Sequence, residues 1–129
     1  MRRRTRGFTL IEILLVLAII GILATIILVA VGGGRQKSLD ASFKKTVSSV
    51  QRGLALCCDV PGTPLGSAPG GRMCVGGELY PDAAHIGTIT SGNCSPAGEF
   101  AKAVTPGTGN AGNCELAVLT HDGATFEGC

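Results

Sequence analysis

Gly7-Phe8-Thr9-Leu10-Ile11-Glu12 leads without a break into Ile13-Leu14-Leu15-Val16-Leu17-Ala18-Ile19-Ile20 and on to Val31. Glu12 is the only ionisable residue between Phe8 and Val31, and Ile13 to Val31 is an uncharged run of 19 residues. As an α-helix rising about 1.5 Å per residue, that run reaches about 28 Å, close to the hydrocarbon thickness of a bilayer. A carboxylate within such a segment is costly and marks a partner or a pathway. The plainer alternative for Glu12 is an acid that snorkels to the membrane interface, hydrated or neutral.

Upstream lies a short charged segment, Met1–Arg6, with arginines at positions 2, 3, 4 and 6. An ordinary secretory signal is cut after its hydrophobic stretch, at small residues, and the apolar segment is lost. Here Gly7 stands between the charges and the apolar run, so the order is reversed. From Gly7 to about Val31 the chain resembles the bacterial type IV prepilin pattern with its class III leader. The resemblance implies that a membrane peptidase cuts the Gly7–Phe8 bond, that Phe8 becomes the N-methylated terminus, and that the hydrophobic helix stays on the mature protein. It also implies that Glu12 is the acidic residue guiding assembly. In a filament of parallel, staggered helices, the amine of a neighbouring Phe8 supplies the opposite charge that a buried carboxylate needs.

Three segments follow: a leader (1–7), a transmembrane and filament-core helix (8–34), and an exported head (35–129). Arg35, Lys37, Lys44 and Lys45 flank the far end of the apolar run about as densely as the four arginines flank the near end, so loop charge alone barely orients the helix. The leader resemblance and the cysteines place the N-terminus in the cytoplasm and the head outside. Gly32-Gly33-Gly34 predicts an interruption of the helix, each glycine costing about 1 kcal/mol in a helix interior. Gly21 is a milder weak point. Unlike many pilin relatives, the helix holds no proline.

Beyond Val31 the composition turns to Gly, Pro, Ser and Thr, with Phe43, Tyr80, Phe100 and Phe126 as aromatics, no Trp, and all six cysteines. A core built from so few large side chains is thin, and covalent staples are the usual remedy in small exported domains. Leu39, Phe43, Val47, Val50, Leu54 and Cys57 recur at helical spacing, predicting an amphipathic helix capped by Ser38 or Asp40 and ended by Pro61-Gly62-Thr63-Pro64. Strand expectations fall at Arg72–Val75, Glu78–Tyr80, His85–Thr90 and Phe100–Val104. The clearest β pattern is a hairpin from Glu115 to Thr120, through His121-Asp122-Gly123, to Ala124–Glu127. The expected fold class is α+β: a long hydrophobic helix, a Gly-rich break, then an amphipathic helix on a small antiparallel sheet.

Cys57, Cys58, Cys74, Cys94, Cys114 and Cys129 are candidate disulfide partners with 15 possible connectivities. Adjacent Cys57 and Cys58 point different ways from a helix end, so they serve two partners, one of them able to tie the helix to the Cys74 loop. Pilins often staple their C-terminal region, and the resemblance gives Cys129 that role.

Four of the eleven basic residues belong to the leader, leaving seven basic against nine acidic residues in the rest. A body of that charge lacks the footprint of a dedicated nucleic-acid binder. A zinc site from cysteines with His85 and His121 lacks Cys-x-x-Cys or His-x-x-x-His spacing, and the missing Cys-x-x-Cys also argues against a thiol oxidoreductase. Gly70-Gly71 and Gly76-Gly77 lack the Lys-Ser/Thr and helix of a phosphate loop. Asn93-Cys94-Ser95 fits a glycosylation sequon by pattern, and a plain turn asparagine is the simpler reading. His121 and Asp122 are turn residues. No Ser-His-Asp or paired-carboxylate spacing supports an enzyme, and no cofactor or metal is expected.

The resemblance therefore predicts a structural subunit of a type IV pilus-like filament. Its expected partners are identical or related pilin subunits, the prepilin peptidase, an inner-membrane assembly platform and, before assembly, the lipid bilayer, with no sequence-specific nucleic acid. Its expected location is the cytoplasmic (inner) membrane, then an extracellular filament. One alternative is a pseudopilin of a type II secretion system, whose major members carry an acidic calcium-binding C-terminal loop; here Asp122 stands almost alone. Others are a monomeric, membrane-anchored, cysteine-rich binding module, which predicts no peptidase processing, and a cysteine-rich enzyme.

Overall fold

The structure, a computed structural model, describes residues 7–110 and 112–129; the charged part of the expected leader, Met1–Arg6, lies outside them. The chain divides into two compact units, one ending at Arg35 and one comprising Gln36–Cys129. A single α-helix, α1 (Leu10–Cys57), contributes to both.

In the first unit, every described residue is exposed, from Gly7 to Arg35. The apolar side chains here are buried by nothing in the chain, and the helix is long and apolar enough to cross a membrane. The interruption expected at Gly32-Gly33-Gly34 is absent, for α1 runs straight through the three glycines. Three glycines cost about 3 kcal/mol relative to alanine. Ending a helix, however, orphans about four N–H or four C=O groups at each new terminus. No Ser, Thr, Asp or Asn stands within three residues of the glycines on either side to cap such ends. Continuation satisfies those groups within the backbone, which matters most where no water is at hand.

In the second unit, the α1 stripe Phe43, Val47, Val50 and Leu54 is fully buried. It packs with the inward face of a four-stranded antiparallel sheet in one hydrophobic cluster. The sheet comprises β2 (Ile86–Ile89), β4 (Ala101–Pro106), β5 (Leu116–Thr120) and β6 (Gly123–Glu127), in the order β2-β4-β5-β6. Register is fixed by the two-residue period of the strands: Val104 faces Ala117 and Leu119 faces Ala124 across the ladder. Val104, Ala117 and Leu119 all point into the core at zero exposure. Phe126 meets Phe43 edge to face, ring centroids 6.3 Å apart, with the Lys44 ammonium 5.5 Å above its ring. A second, two-stranded sheet pairs β1 (Pro64–Leu65) with β3 (Gly92–Asn93).

Asp40 lies inside α1 and so caps nothing. Its carboxylate instead accepts from the backbone N–H groups of Asn113, at 2.6 Å, and Cys114, at 3.1 Å, tying the helix to the loop before β5. The strands expected at Arg72–Val75 and Glu78–Tyr80 shrink to one bridge between Arg72 and Leu79. Gly76, at φ +79°, turns the chain too sharply there for longer pairing.

Three disulfides staple this unit: Cys57–Cys74, Cys58–Cys94 and Cys114–Cys129. Cys57 and Cys58 thus bond to different partners, one in the loop after β1 and one just beyond β3. Cys129 holds the chain's last residue beside the start of β5.

Candidate assembly site at the helix N-terminus

Gly7, Phe8 and Thr9 are non-helical and exposed, and α1 begins at Leu10. The Gly7–Phe8 peptide bond therefore lies in irregular, accessible backbone just ahead of the helix, and Phe8 is 79 % exposed. Thr9 takes the N-cap position. Its Oγ1 accepts from the Glu12 N–H at 3.4 Å, and Glu12 Oε2 accepts from the Thr9 N–H at 3.5 Å. These long, reciprocal bonds form a capping box: the Thr9 N–H finds a side-chain acceptor, and the Glu12 N–H is shared between Thr9 Oγ1 and the Thr9 carbonyl, to which it donates at 3.1 Å. A carboxylate there also lies at the positive end of the helix dipole.

Glu12 Oε1 accepts no hydrogen bond, and Glu12 forms no ion pair, among the described residues. The arrangement places the carboxylate at the rim of an otherwise uncharged apolar surface, with one oxygen bonded to the helix start and the other unbonded among the described residues. Sequence reasoning singled out Gly7, Phe8 and Glu12 but missed Thr9. The signal was present: Thr-x-x-Glu before an apolar run is a capping-box pattern.

The remaining polar residues of interest serve the head. Tyr80 and Lys102 converge on one carbonyl, that of Gly66, which accepts from the Tyr80 hydroxyl at 3.0 Å and from Lys102 Nζ at 2.7 Å. Lys102 Nζ also donates to the Thr90 carbonyl at 2.6 Å. Gly66 itself donates to the Met73 carbonyl, and a Cβ on it would overlap the Arg72 carbonyl oxygen, so only glycine fits. Burial lowers the Lys102 pKa from the usual lysine range and pushes the Tyr80 phenol up to about 12.

His85 Nδ1 lies 2.6 Å from Asp82 Oδ1, an exposed contact that holds the Asp82 carboxyl below its ordinary value. His121 sits with Asp122 at the β5–β6 turn, exposed, and Asn93 lies on β3, also exposed. Among the described residues, no cluster of three or more His, Cys, Asp or Glu side chains is placed to hold a metal ion.

The family model for the prokaryotic N-terminal methylation motif matches residues 2–28. Over residues 2–28 the chain is thus similar to the methylation motif found at the N-termini of type IV pilin-like prepilins. No curated protein and no solved structure matches the chain significantly.

Proposed function

We propose, from the likeness of residues 2–28 to the N-terminal methylation motif, that the chain is a type IV pilin-like protein and a structural subunit of a type IV pilus-like filament. Cleavage at Gly7–Phe8 frees the Phe8 amine, which is then methylated. Residues 8–34 anchor the subunit in the inner membrane before assembly and enter the filament core afterwards, while residues 35–129 form the exported head. The partners are other pilin subunits, the prepilin peptidase and an inner-membrane assembly platform.

The observation that carries this reading is the pairing of an apolar helical segment, exposed from Leu10 to Val31, with one carboxylate whose Oε1 accepts no hydrogen bond among the described residues. Exposed aliphatic surface loses roughly 25 cal/mol per Å² against burial, so the helix requires lipid or other helices around it. In a bundle of such helices, a free carboxylate is costly unless a cation meets it. A neighbour's methylated Phe8 amine, one residue ahead of the capping box, has the right charge.

Mass spectrometry of assembled protein tests the reading: an N-methylated Phe8 terminus is expected. A terminus at Met1 in assembled material, or cleavage beyond Val31, overturns it.

A further inference from the structure

Within the described part of Gln36–Cys129, the exposed large apolar side chains are Leu56, Val60, Val75 and Leu79, between 61 and 89 % exposed. Three of them, Leu56, Val60 and Val75, line one open cavity of about 580 Å³ beside the Cys57–Cys74 bond, with Gly53, Gly77 and Glu78. Glu78 forms no ion pair among the described residues. Arg72, close by, donates to the Gly77 carbonyl at 3.2 Å and leaves the Glu78 carboxylate free. The head thus presents a groove with an apolar floor and an acidic edge.

Two copies joined groove to groove would form a closed two-fold pair, whereas a filament grows only through contacts between different surfaces. The other exposed large apolar side chains among the described residues all lie on Phe8–Val31. Along that helix Ala24, Leu28, Val31 and Arg35 recur at spacings of 4, 3 and 4, so they share one face. That face is an apolar row ending in a guanidinium, complementary to an apolar floor ending in a carboxylate. Gly32 adjoins the row and leaves the backbone bare for close approach. Helix-in-groove docking uses this spacing of anchors.

We propose that the groove receives the Ala24–Arg35 face of a second copy's N-terminal helix, with Glu78 pairing to Arg35 of that copy. The inference rests on the filament reading above and names the surface through which one head grips the next subunit. It also gives the three glycines a use that the isolated chain does not show.

The test uses the full-length chain as sole copy in filament-forming cells, comparing filament yield with the membrane pool. Val75 is 89 % exposed, so Val75→Asp leaves the head folded, checked by unchanged protease resistance of the membrane pool. Its expected effect is a loss of filament of at least about tenfold, as for a central interface residue. Glu78→Arg and Arg35→Glu each lower the yield, and together they restore it to within about twofold, the behaviour of a directly coupled pair. A photoreactive residue at position 75 crosslinks to residues 24–35 of another copy.

Wild-type yield from Val75→Asp, a double variant no better than the poorer single, or crosslinks confined to lipid or to another head overturns the proposal. A wild-type chain that retains Met1 and forms no filament overturns the filament reading and the groove with it. A polymerising wild type beside an unaffected Val75→Asp overturns the groove alone.

Discussion

The two units solve opposite problems. Gln36–Cys129 closes on itself, with a small apolar cluster, three disulfides and a buried lysine whose ammonium donates to two carbonyls. The described residues up to Arg35 bury nothing within the chain: their satisfied groups are the backbone bonds of α1, its capping box and the Thr25 hydroxyl, which donates to the Ile22 carbonyl. The difference shows where each unit's stability is stored. The head carries its own, whereas the described residues of the apolar helix draw no packing energy from the rest of the chain.

The largest expected effect sharpens that contrast through the disulfides. Each of the three closes a loop, with sequence separations of 17, 36 and 15 residues. Removing such bonds from a small exported domain costs roughly 2 to 5 kcal/mol each. Reduction of the full-length protein in detergent should therefore expose the amides of β4 and β5 to hydrogen exchange, while those of Ile13–Val31 stay protected in the micelle. Unchanged head protection under reductant would show that the apolar cluster suffices. Loss of protection in both units together would show that they are not independent.

A smaller effect belongs to the polar node. Lys102→Met keeps the length and apolar stem but leaves the Thr90 carbonyl without the ammonium and Gly66 with Tyr80 alone, a loss of about 1 to 3 kcal/mol for a buried unsatisfied group. The two titrations at this node act in opposite directions. Lys102 has a folded pKa below its unfolded 10.5, so the cost of burying its charge disappears as pH rises through that lowered value, and the head gains stability up to about pH 10. Tyr80 has a folded pKa raised from 10.0 to about 12, so its neutral phenol favours the fold below pH 10, and that advantage is lost between 10 and 12. Urea unfolding of the head against pH should rise and then fall. Lys102→Met should remove the rise and Tyr80→Phe the fall; identical profiles in all three proteins would exclude the node as their source.

How far the sequence discloses the structure depends on how long each pattern is. The stripe from Phe43 to Cys57 repeats over four turns, and the β5–β6 hairpin alternates over five residues a side, so both are legible. β1 and β3 have two residues each, too few for any period to register. Lys102 set polarity against period: its charge argued for solvent, while its place two residues from Val104 put it on the buried face, and the two carbonyls decide for burial. The glycine run misled because single-residue propensities omit the cost of creating two new helix ends. At the candidate assembly site, Gly7, Phe8 and Glu12 are singled out because they stand in one contiguous motif, which the family model for N-terminal methylation also spans. Leu56, Val60 and Val75 come from two segments far apart in sequence, which the Cys57–Cys74 bond and the packing of Met73 against α1 draw together.

The smallest effect in free energy decides most about the helix, because Glu12 has one role within its own chain and one toward another. The capping box survives cleavage of Gly7–Phe8, since Thr9 keeps its peptide N–H. Thr9→Ala removes one half of the box and leaves the charge, at a cost of about 0.5 to 2 kcal/mol to the helix start. Glu12→Gln keeps a side-chain acceptor at the same position and removes the charge. Glu12→Ala removes both. Hydrogen exchange at residues 10–13 should quicken in Thr9→Ala and Glu12→Ala but not in Glu12→Gln. Filament yield should divide them differently, falling in both Glu12 variants and holding near wild type in Thr9→Ala, because only the charge is shared between subunits. If Glu12→Gln assembles normally and Thr9→Ala does not, the carboxylate is a cap and no more. If both Glu12 variants assemble normally while membrane levels rise, the helix behaves as a simple anchor relieved of about 2.5 to 3.5 kcal/mol of buried charge. The contrast between a self-contained head and a helix completed by its neighbours stands only on the first pattern.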